Sequence, residues 1–387
     1  MSSKSEKNQS WLEIDLQALK HNFQAIRAVA SPAKIMAVVK ANAYGHGAKE
    51  ISSYLEKELS VDYFSVAYPK EALELKGNGT QVPILVLCPL NKYQIKTCIK
   101  EEIEITVSSK SKFEILKEVC FLEKEKVIKF QLEINTGMNR GGIEEAEVLD
   151  FLEKFFSAQN RDLKNFKITG IYSHLACDYQ HEFTNKVQLK NFWSITQKIR
   201  SKYFQYLEKN STKFHVIASS NLLNHRKNSM DLARVGISLY GLGKEFNKLD
   251  LKPVMSLKSR ISLIRKIPNQ SFVSYDLTWQ AKRNSLIGVL PLGYADGVSR
   301  ALSNKINFLY QDELVPQIGT ICMDQLIVDF TGLKIKPKEG DLITLIGSSP
   351  SGEKEILIKD WSRILNTIDY EVACSLGNSR LKKVFKF

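Results

Sequence analysis

Eight short apolar runs, each followed by a more polar stretch, constrain this chain more than any other feature of its sequence. They are Ala33 to Val39, Tyr63 to Ala67, Pro83 to Leu87, Ile103 to Val107, Val127 to Ile134, Ile168 to His174, Lys213 to Ile217 and Leu232 to Gly236. Runs of this length, rich in branched residues, read as buried strands. Amphipathic segments separate most of them, such as Lys70 to Lys76, Glu144 to Phe156 and Phe183 to Tyr206. Ahead of the first run, Asp15 can cap a helix reaching about Ala30, with Leu16, Leu19, Phe23 and Ile26 on one face. Strand and helix alternating at this count predict an α/β architecture, a parallel (β/α)8 barrel of the TIM type.

The pattern changes after Leu242. Segments from Lys252 onward are short, rich in Val, Ile and Phe, and broken by turns such as Pro268-Asn269 and Ser349-Pro350-Ser351-Gly352. That predicts a mainly antiparallel β domain, with a short helix at Trp361 to Ile368. The chain of 387 residues is long enough for two domains. The expected division is a barrel over 11–242 and a C-terminal β domain over 243–387.

Lys40 ends the first apolar run and opens Lys40-Ala41-Asn42-Ala43-Tyr44-Gly45-His46-Gly47, a segment that reads as a loop. This places one amine at the C-terminal mouth of a barrel strand, where barrel enzymes keep their chemistry. A desolvated lysine can form a Schiff base with a carbonyl. A lone lysine at a strand end is more often a solvated charge, so the case depends on what surrounds it. The glycine turn after Arg234, at Gly236 and Ile237, could offer backbone N–H groups to a phosphate, although taken alone a structural glycine is the commoner reading.

The net charge of +13 raises the question of nucleic acid. Lysines scattered among glutamates describe solvated faces instead, so no nucleic-acid partner is expected. A positive surface can also attract an anionic cofactor or a carboxylate. The cysteines, Cys88, Cys98, Cys120, Cys177, Cys322 and Cys374, form no CxxC pair. This points to reduced thiols in a cytoplasmic protein, with no metal site. The start, Met1 to Ser10, is polar and lacks the apolar segment of a signal peptide. No stretch reaches membrane-spanning length, and no membrane partner is expected.

The stretch AVVKANAYGHG closely resembles the pyridoxal-phosphate attachment segment of the alanine racemase family. The resemblance runs from Trp11 through Cys374. It includes Asn135-Thr136-Gly137-Met138-Asn139-Arg140, His174, Arg234-Val235-Gly236-Ile237-Ser238-Leu239-Tyr240-Gly241 and Val273-Ser274-Tyr275. It continues with Gly293-Tyr294-Ala295-Asp296-Gly297 and Cys322-Met323-Asp324-Gln325. Long motifs in the right order make chance agreement negligible.

This resemblance implies a head-to-tail homodimer that interconverts L-alanine and D-alanine, supplying D-alanine for cell-wall peptidoglycan. It implies pyridoxal 5'-phosphate as cofactor, and active sites that combine the barrel of one subunit with the C-terminal domain of the other. By position, Lys40 would carry the cofactor and act as one acid–base group. Tyr275 of the partner would serve the opposite face of the substrate Cα. Tyr44, Ser219, Gly236 and Ile237 would hold the phosphate, His174 would lie by the cofactor ring, and Arg234 would face the pyridine nitrogen. Arg140 would position the substrate carboxylate. Met323, Asp324 and Tyr294 would line the substrate entrance.

The chain departs from the family pattern at several points. Glu133 stands where many members carry a carbamylated lysine that orients the arginine, and a permanent carboxylate could replace that anion. Asn135 stands where aspartate is frequent, and Asp276 where glycine is common. A C-terminal tyrosine that touches the phosphate in some members is not evident in Ser375-Leu376-Gly377-Asn378-Ser379. Alternative readings are a racemase acting on serine or other amino acids, a related decarboxylase, and a non-catalytic cofactor-binding barrel. The last would lack the C-terminal domain that holds Tyr275.

Overall fold

The computed structural model describes residues 9–120, 126–159, 163–177, 181–225, 228–243 and 249–387, so the polar start lies almost wholly outside the described residues. Two compact units emerge. One comprises 1–22, 42–47 and 240–387, and the other 23–41 and 48–239.

The chain opens with β1 (Ser10–Asp15) and then enters a helix at Leu16–Ala30, whose first turn is capped by Asp15: the Ala18 N–H donates to Asp15 Oδ1 at 2.9 Å. Eight parallel strands follow: β2 (Lys34–Val38), β3 (Tyr63–Val66), β4 (Ile84–Val86), β5 (Glu104–Val107), β6 (Ile128–Asn135), β8 (Phe166–Tyr172), β9 (Lys213–His215) and β10 (Leu232–Val235). A two-residue strand, β7 (Ile143–Glu144), pairs with the end of β6 outside this path. Their order is β10-β2-β3-β4-β5-β6-β8-β9, and every pairing is parallel. The ends of the order meet through Asp231 N to Phe214 O and Arg234 N to Ile217 O, each at 3.0 Å, and a parallel bridge between Ala218 and Arg234. The sheet is therefore a nearly closed barrel. All eight strands fall on the eight apolar runs; most are slightly trimmed, while β6 runs one residue past its expected end and β8 starts two residues earlier and ends two earlier than expected. β4 and β5 are buried at every residue, as expected of parallel strands covered on both faces.

The other unit is built on a mostly antiparallel sheet. Its strands are β11 (Met255–Arg260), β12 (Leu263–Ile267), β13 (Ser285–Leu290), β14 (Asn307–Tyr310), β15 (Glu313–Ile318), β16 (Leu326–Asp329), β17 (Leu342–Ser348), β18 (Glu355–Ile356) and β19 (Lys382–Lys386). They run in the order β12-β13-β16-β15-β14-β17-β11-β1-β19, with β18 on β17. β1 is a strand the sequence reading did not anticipate. It lies antiparallel to β11 and parallel to β19, partners more than two hundred residues away. The helix expected at Trp361 to Ile368 is found earlier, at Ile358–Ile364, and a second helix, Asp369–Gly377, follows the expected segment. Among the described residues no helix is long and apolar enough to cross a membrane.

Candidate active site

Lys40 lies just beyond the C-terminal end of β2 and is half-buried. The segment after it is a left-handed helical turn, where a plain loop was expected. Ala41, Asn42, Ala43 and Tyr44 all have φ between 51° and 57°. Such a backbone costs roughly 1–2 kcal/mol per residue for L-amino acids, so surrounding bonds must hold it. Glu71 Oε1 accepts from the Ala41 N–H at 2.6 Å. Within the turn, the His46 N–H donates to Ala43 O at 3.0 Å and the Gly47 N–H to Asn42 O at 2.9 Å. The small side chains of Ala41 and Ala43 and the tolerance of Asn42 for positive φ make the conformation accessible.

Tyr44 ends that turn. Its ring centroid lies 5.4 Å from that of Tyr240 and 6.4 Å from that of Tyr370, and burial pushes its phenol well above the ordinary range. Gly45, with φ +85°, approaches the helix Asp369–Gly377 backbone to backbone: a Cβ on Gly377 would fall 2.0 Å from Gly45 O. The 375–379 segment, which carries no tyrosine, thus packs through Gly377 on the backbone of Gly45. The Ser379 hydroxyl is used at the same helix end, donating to Leu376 O at 2.6 Å.

Arg234 is the centre of the barrel's polar end. It is 4% exposed, on β10. Its Nη1 donates to His215 Nδ1 at 2.5 Å, and its Nη2 donates to Ser173 O at 2.7 Å and to His174 Nδ1 at 3.0 Å. Burial lowers its pKa to about 10, countered by Tyr172 and Glu133. It therefore remains a cation and a donor. His174, just past β8, is held down at about 3 by burial and then by Arg234, Arg140 and Lys40. Three cations thus act on one neutral imidazole. That donor set suits a ligand carrying several negative charges, which is what an aromatic phosphate ester with a phenolic oxygen presents.

Glu133 lies near the end of β6, and Arg140 is exposed in the loop after it. A shallow pocket is lined by both, with Asn135, Met138, Ser173 and His174. Burial raises the Glu133 carboxyl, while Arg140 and Arg234 pull it down. Glu133 and Arg140 interact through charge and are not in ion-pair contact. Glu133 does pack on the next residue: a Cβ on Gly141 would sit 2.9 Å from Glu133 Oε2. Asn135 explains its own departure from the pattern. Its Oδ1 accepts from the Gly137 and Asn139 N–H groups at 3.1 Å, and its Nδ2 donates to Glu144 Oε1 at 2.9 Å. An aspartate could make the first two bonds but would face Glu144 with a like charge.

Ser219 and Gly236 are brought together at the ends of β9 and β10: the Gly236 N–H donates to Ser219 Oγ at 2.9 Å. Ile237 begins a single 3-10 turn, Ile237–Tyr240, so its N–H and the next ones lie at a helix start. Ser238 Oγ, in that turn, is buried without a hydrogen-bond partner in this structure.

In the other unit Tyr275 sits on a turn with Ser274 at φ 66°, Asp276 at φ 58° and Leu277 at φ 49°. The turn keeps a left-handed backbone at 276 although the residue is not glycine, and Arg300 Nη2 contacts Asp276 Oδ2 at 2.5 Å. Ser274 Oγ donates to Thr320 O at 2.6 Å, and Thr320 Oγ1 donates to Tyr275 O at 2.8 Å. The backbone is thus braced while the Tyr275 side chain stays exposed. Tyr294, Met323 and Asp324 also come together. The Tyr294 N–H donates to Cys322 O and the Ala295 N–H to Met323 O, both at 3.0 Å. Arg380 bridges Asp296, at 2.9 Å, and Asp324. Sequence reasoning missed Arg380 and the barrel-interior partners of Arg234; the visible signal for the latter was polar residues placed inside apolar strands.

Comparison with known proteins agrees with this fold. Residues 14–244 match the alanine racemase N-terminal domain model, and residues 254–385 match the C-terminal domain model. The alanine racemase of Methanococcus maripaludis is 34% identical, over 97% of this chain and 98% of the relative. That of Helicobacter pylori strain J99 is also 34% identical, over 98% and 99%. Among solved structures, alanine racemase of Clostridium difficile 630 superposes with a TM-score of 0.87 at 30% identity, covering 98% of this chain and 96% of that one. Alanine racemase from Bartonella henselae, solved with covalently bound pyridoxal phosphate, gives 0.84 at 29% identity, covering 98% and 100%. Barrel, antiparallel domain and full-length similarity agree: the chain belongs to the alanine racemase family.

Proposed function

We propose that the chain interconverts L-alanine and D-alanine with pyridoxal 5'-phosphate, as a homodimer. Residues 11–242 of one copy would form the cofactor-binding barrel, and residues 243–387 of the other would supply the opposing base. The observation that carries this reading is the placement of Lys40 at the barrel end with Arg140, His174 and Arg234 within electrostatic reach.

The donor set fits the cofactor. Lys40 would hold it covalently, and Tyr44, Ser219 and the N–H groups of Gly236 and Ile237 would hold its phosphate. When bound, the cofactor withdraws electron density from the substrate Cα and makes that proton removable. The chain's residues do the rest. Arg234 stays protonated, so it would present a donor to the ring nitrogen and would not leave a proton there. His174 stays neutral beside the ring. Arg140 offers a planar pair of donors to the substrate carboxylate. The Lys40 amine and the Tyr275 phenol of the other copy serve opposite faces of Cα. One removes a proton and the other delivers one, and their roles exchange in the reverse direction. Tyr294, Met323 and Asp324 would line the entrance.

The test is circular dichroism of purified protein with L-alanine, D-alanine and L-serine in turn. Loss of optical activity with both alanine enantiomers is expected. No change with any substrate, in protein that has taken up the cofactor, would overturn the reading; faster loss with serine would replace alanine as the substrate.

A further inference from the structure

Beneath the site, a buried hydrogen-bond relay runs from Arg234 through the barrel interior. His215 Nδ1 receives from Arg234, as above. His215 Nε2 lies 2.7 Å from Gln131 Oε1, and Gln131 Nε2 lies 2.7 Å from Glu104 Oε2. Tyr63 OH and Thr169 Oγ1 also donate to the Glu104 carboxylate, each at 2.9 Å. Glu104 is 3% exposed, and Gln131 and His215 are fully buried. The participants come from β3, β5, β6, β8, β9 and β10, so the relay crosses the barrel.

Hydrogen-bond chemistry fixes its direction from both ends. A guanidinium can only donate, so His215 Nδ1 must be the acceptor. The proton of a neutral His215 is then on Nε2, facing Gln131 Oε1. The Gln131 amide nitrogen consequently faces Glu104. Burial raises the Glu104 carboxyl, and the bonds from Gln131, Tyr63 and Thr169 with the charge of Lys129 pull it back down; with three donors converging on it, it accepts as a carboxylate. Burial and Arg234 hold His215 well below its ordinary pKa, so the ring is neutral. Every bond therefore points from the cation toward the anion. The fold also reserves space for the middle of the relay: a Cβ on Gly170 would lie 2.6 Å from Gln131 Cδ and Oε1. A buried charge needs a partner, and Arg234 has no carboxylate in direct contact among the described residues.

We propose that Glu104 is a positioning residue for the reaction: it is the anionic end of a relay that locks the His215 tautomer and thereby the Arg234 guanidinium. The inference rests on the racemase reading for its catalytic consequence, but the relay itself does not depend on that reading.

The test uses full-length Glu104→Gln, which keeps size and removes charge, with Gly170→Ala as a second variant that displaces Gln131 while leaving both ends intact. In 15N-histidine-labelled protein without cofactor, the wild type should show two Nε2–H tautomers, His174 and His215, which both accept from Arg234 at Nδ1; His215, assigned by the signal missing from His215→Gln, is the one locked by the relay. Both variants should lose that lock. With cofactor bound, kcat should fall roughly tenfold while KM changes little, the scale of one bond to a charged group. Glu104→Asp should restore part of both signals. An unchanged His215 pattern in both variants, or an altered pattern with unchanged kcat, would overturn the proposal. Should the wild type prove inactive on alanine, the labelled-histidine measurement still reports on the relay alone.

Discussion

Arg234 at the barrel end and Tyr275 in the antiparallel unit represent two ways of presenting a functional side chain. Arg234 is 4% exposed and bonded to two histidines and a backbone carbonyl. Tyr275 is 69% exposed, and only its backbone is braced. Phe272, Leu277 and Met323 are each more than half exposed in the same unit. A buried cation must be paired where it stands, so its position is set by its own unit. An exposed cluster of large apolar groups instead marks a surface awaiting cover. The contrast supports the proposed site shared between two copies, in which the barrel unit would carry a finished half and the antiparallel unit would offer an unfinished one.

The comparison breaks first at Lys40. Lys40→Ala should remove covalent cofactor attachment and reduce racemisation by roughly 10^4-fold, the upper range for an acid–base group. Borohydride treatment of the wild type should trap an adduct on Lys40, read by peptide mass spectrometry. An adduct on a different lysine would remove Lys40 from the centre of the finished half.

Tyr275→Phe probes the unfinished half. Racemisation should fall by about 10²–10³-fold with cofactor binding retained, and solvent-deuterium incorporation should be affected differently from the two enantiomers. Mixing the Lys40→Ala and Tyr275→Phe proteins should restore activity, because a heterodimer would contain one intact site. Proven heterodimers without activity would mean that the exposed tyrosine does not serve a neighbour.

Glu133 tests how finished the barrel half is. Its carboxylate influences Arg140 through charge without touching it, so Glu133→Gln should lower kcat/KM by about fivefold, as loss of a through-space charge interaction would. Glu133→Lys should gain a dependence on bicarbonate that the wild type lacks. Full activity of Glu133→Gln would show that Arg140 is positioned by its loop, through Asn135, alone.

Legibility in the sequence followed the range of the interactions. The barrel was readable because each strand is a local apolar run bounded by polar residues. β1 was not, because its apolar residues Trp11, Leu12 and Ile14 acquire meaning only from β11 and β19, at the other end of the chain. Lys40 and Tyr275 stood out in long motifs. The left-handed turn after Lys40 did not, since Ala41 and Ala43 carry no preference for positive φ and are held there by Glu71 and by bonds within the turn. Glu104 was hidden for a related reason. One carboxylate within an apolar run looks like a strand edge until Tyr63, Gln131 and Thr169 are seen to converge on it.

The smallest expected effect concerns the entrance segments of the unfinished half. Arg380 ties Asp296, in the Tyr294 turn, to Asp324, beside Met323. Asp296 is buried, whereas Asp324 and the Arg380 side chain are largely open to solvent, so the Asp324 bond contributes little. Arg380→Met should therefore leave the fold and cofactor binding intact, because the backbone bonds from Tyr294 and Ala295 to the 322–323 segment remain. The two segments would lose their charged clasp but not their register. The expected result is a rise in KM for alanine of roughly threefold with kcat unchanged, weakening further contrast between variant and wild type as salt is raised. A fall in kcat instead would place Arg380 in support of the reacting groups, and would show that this half is less exposed to its own chain's control than Tyr275 implies.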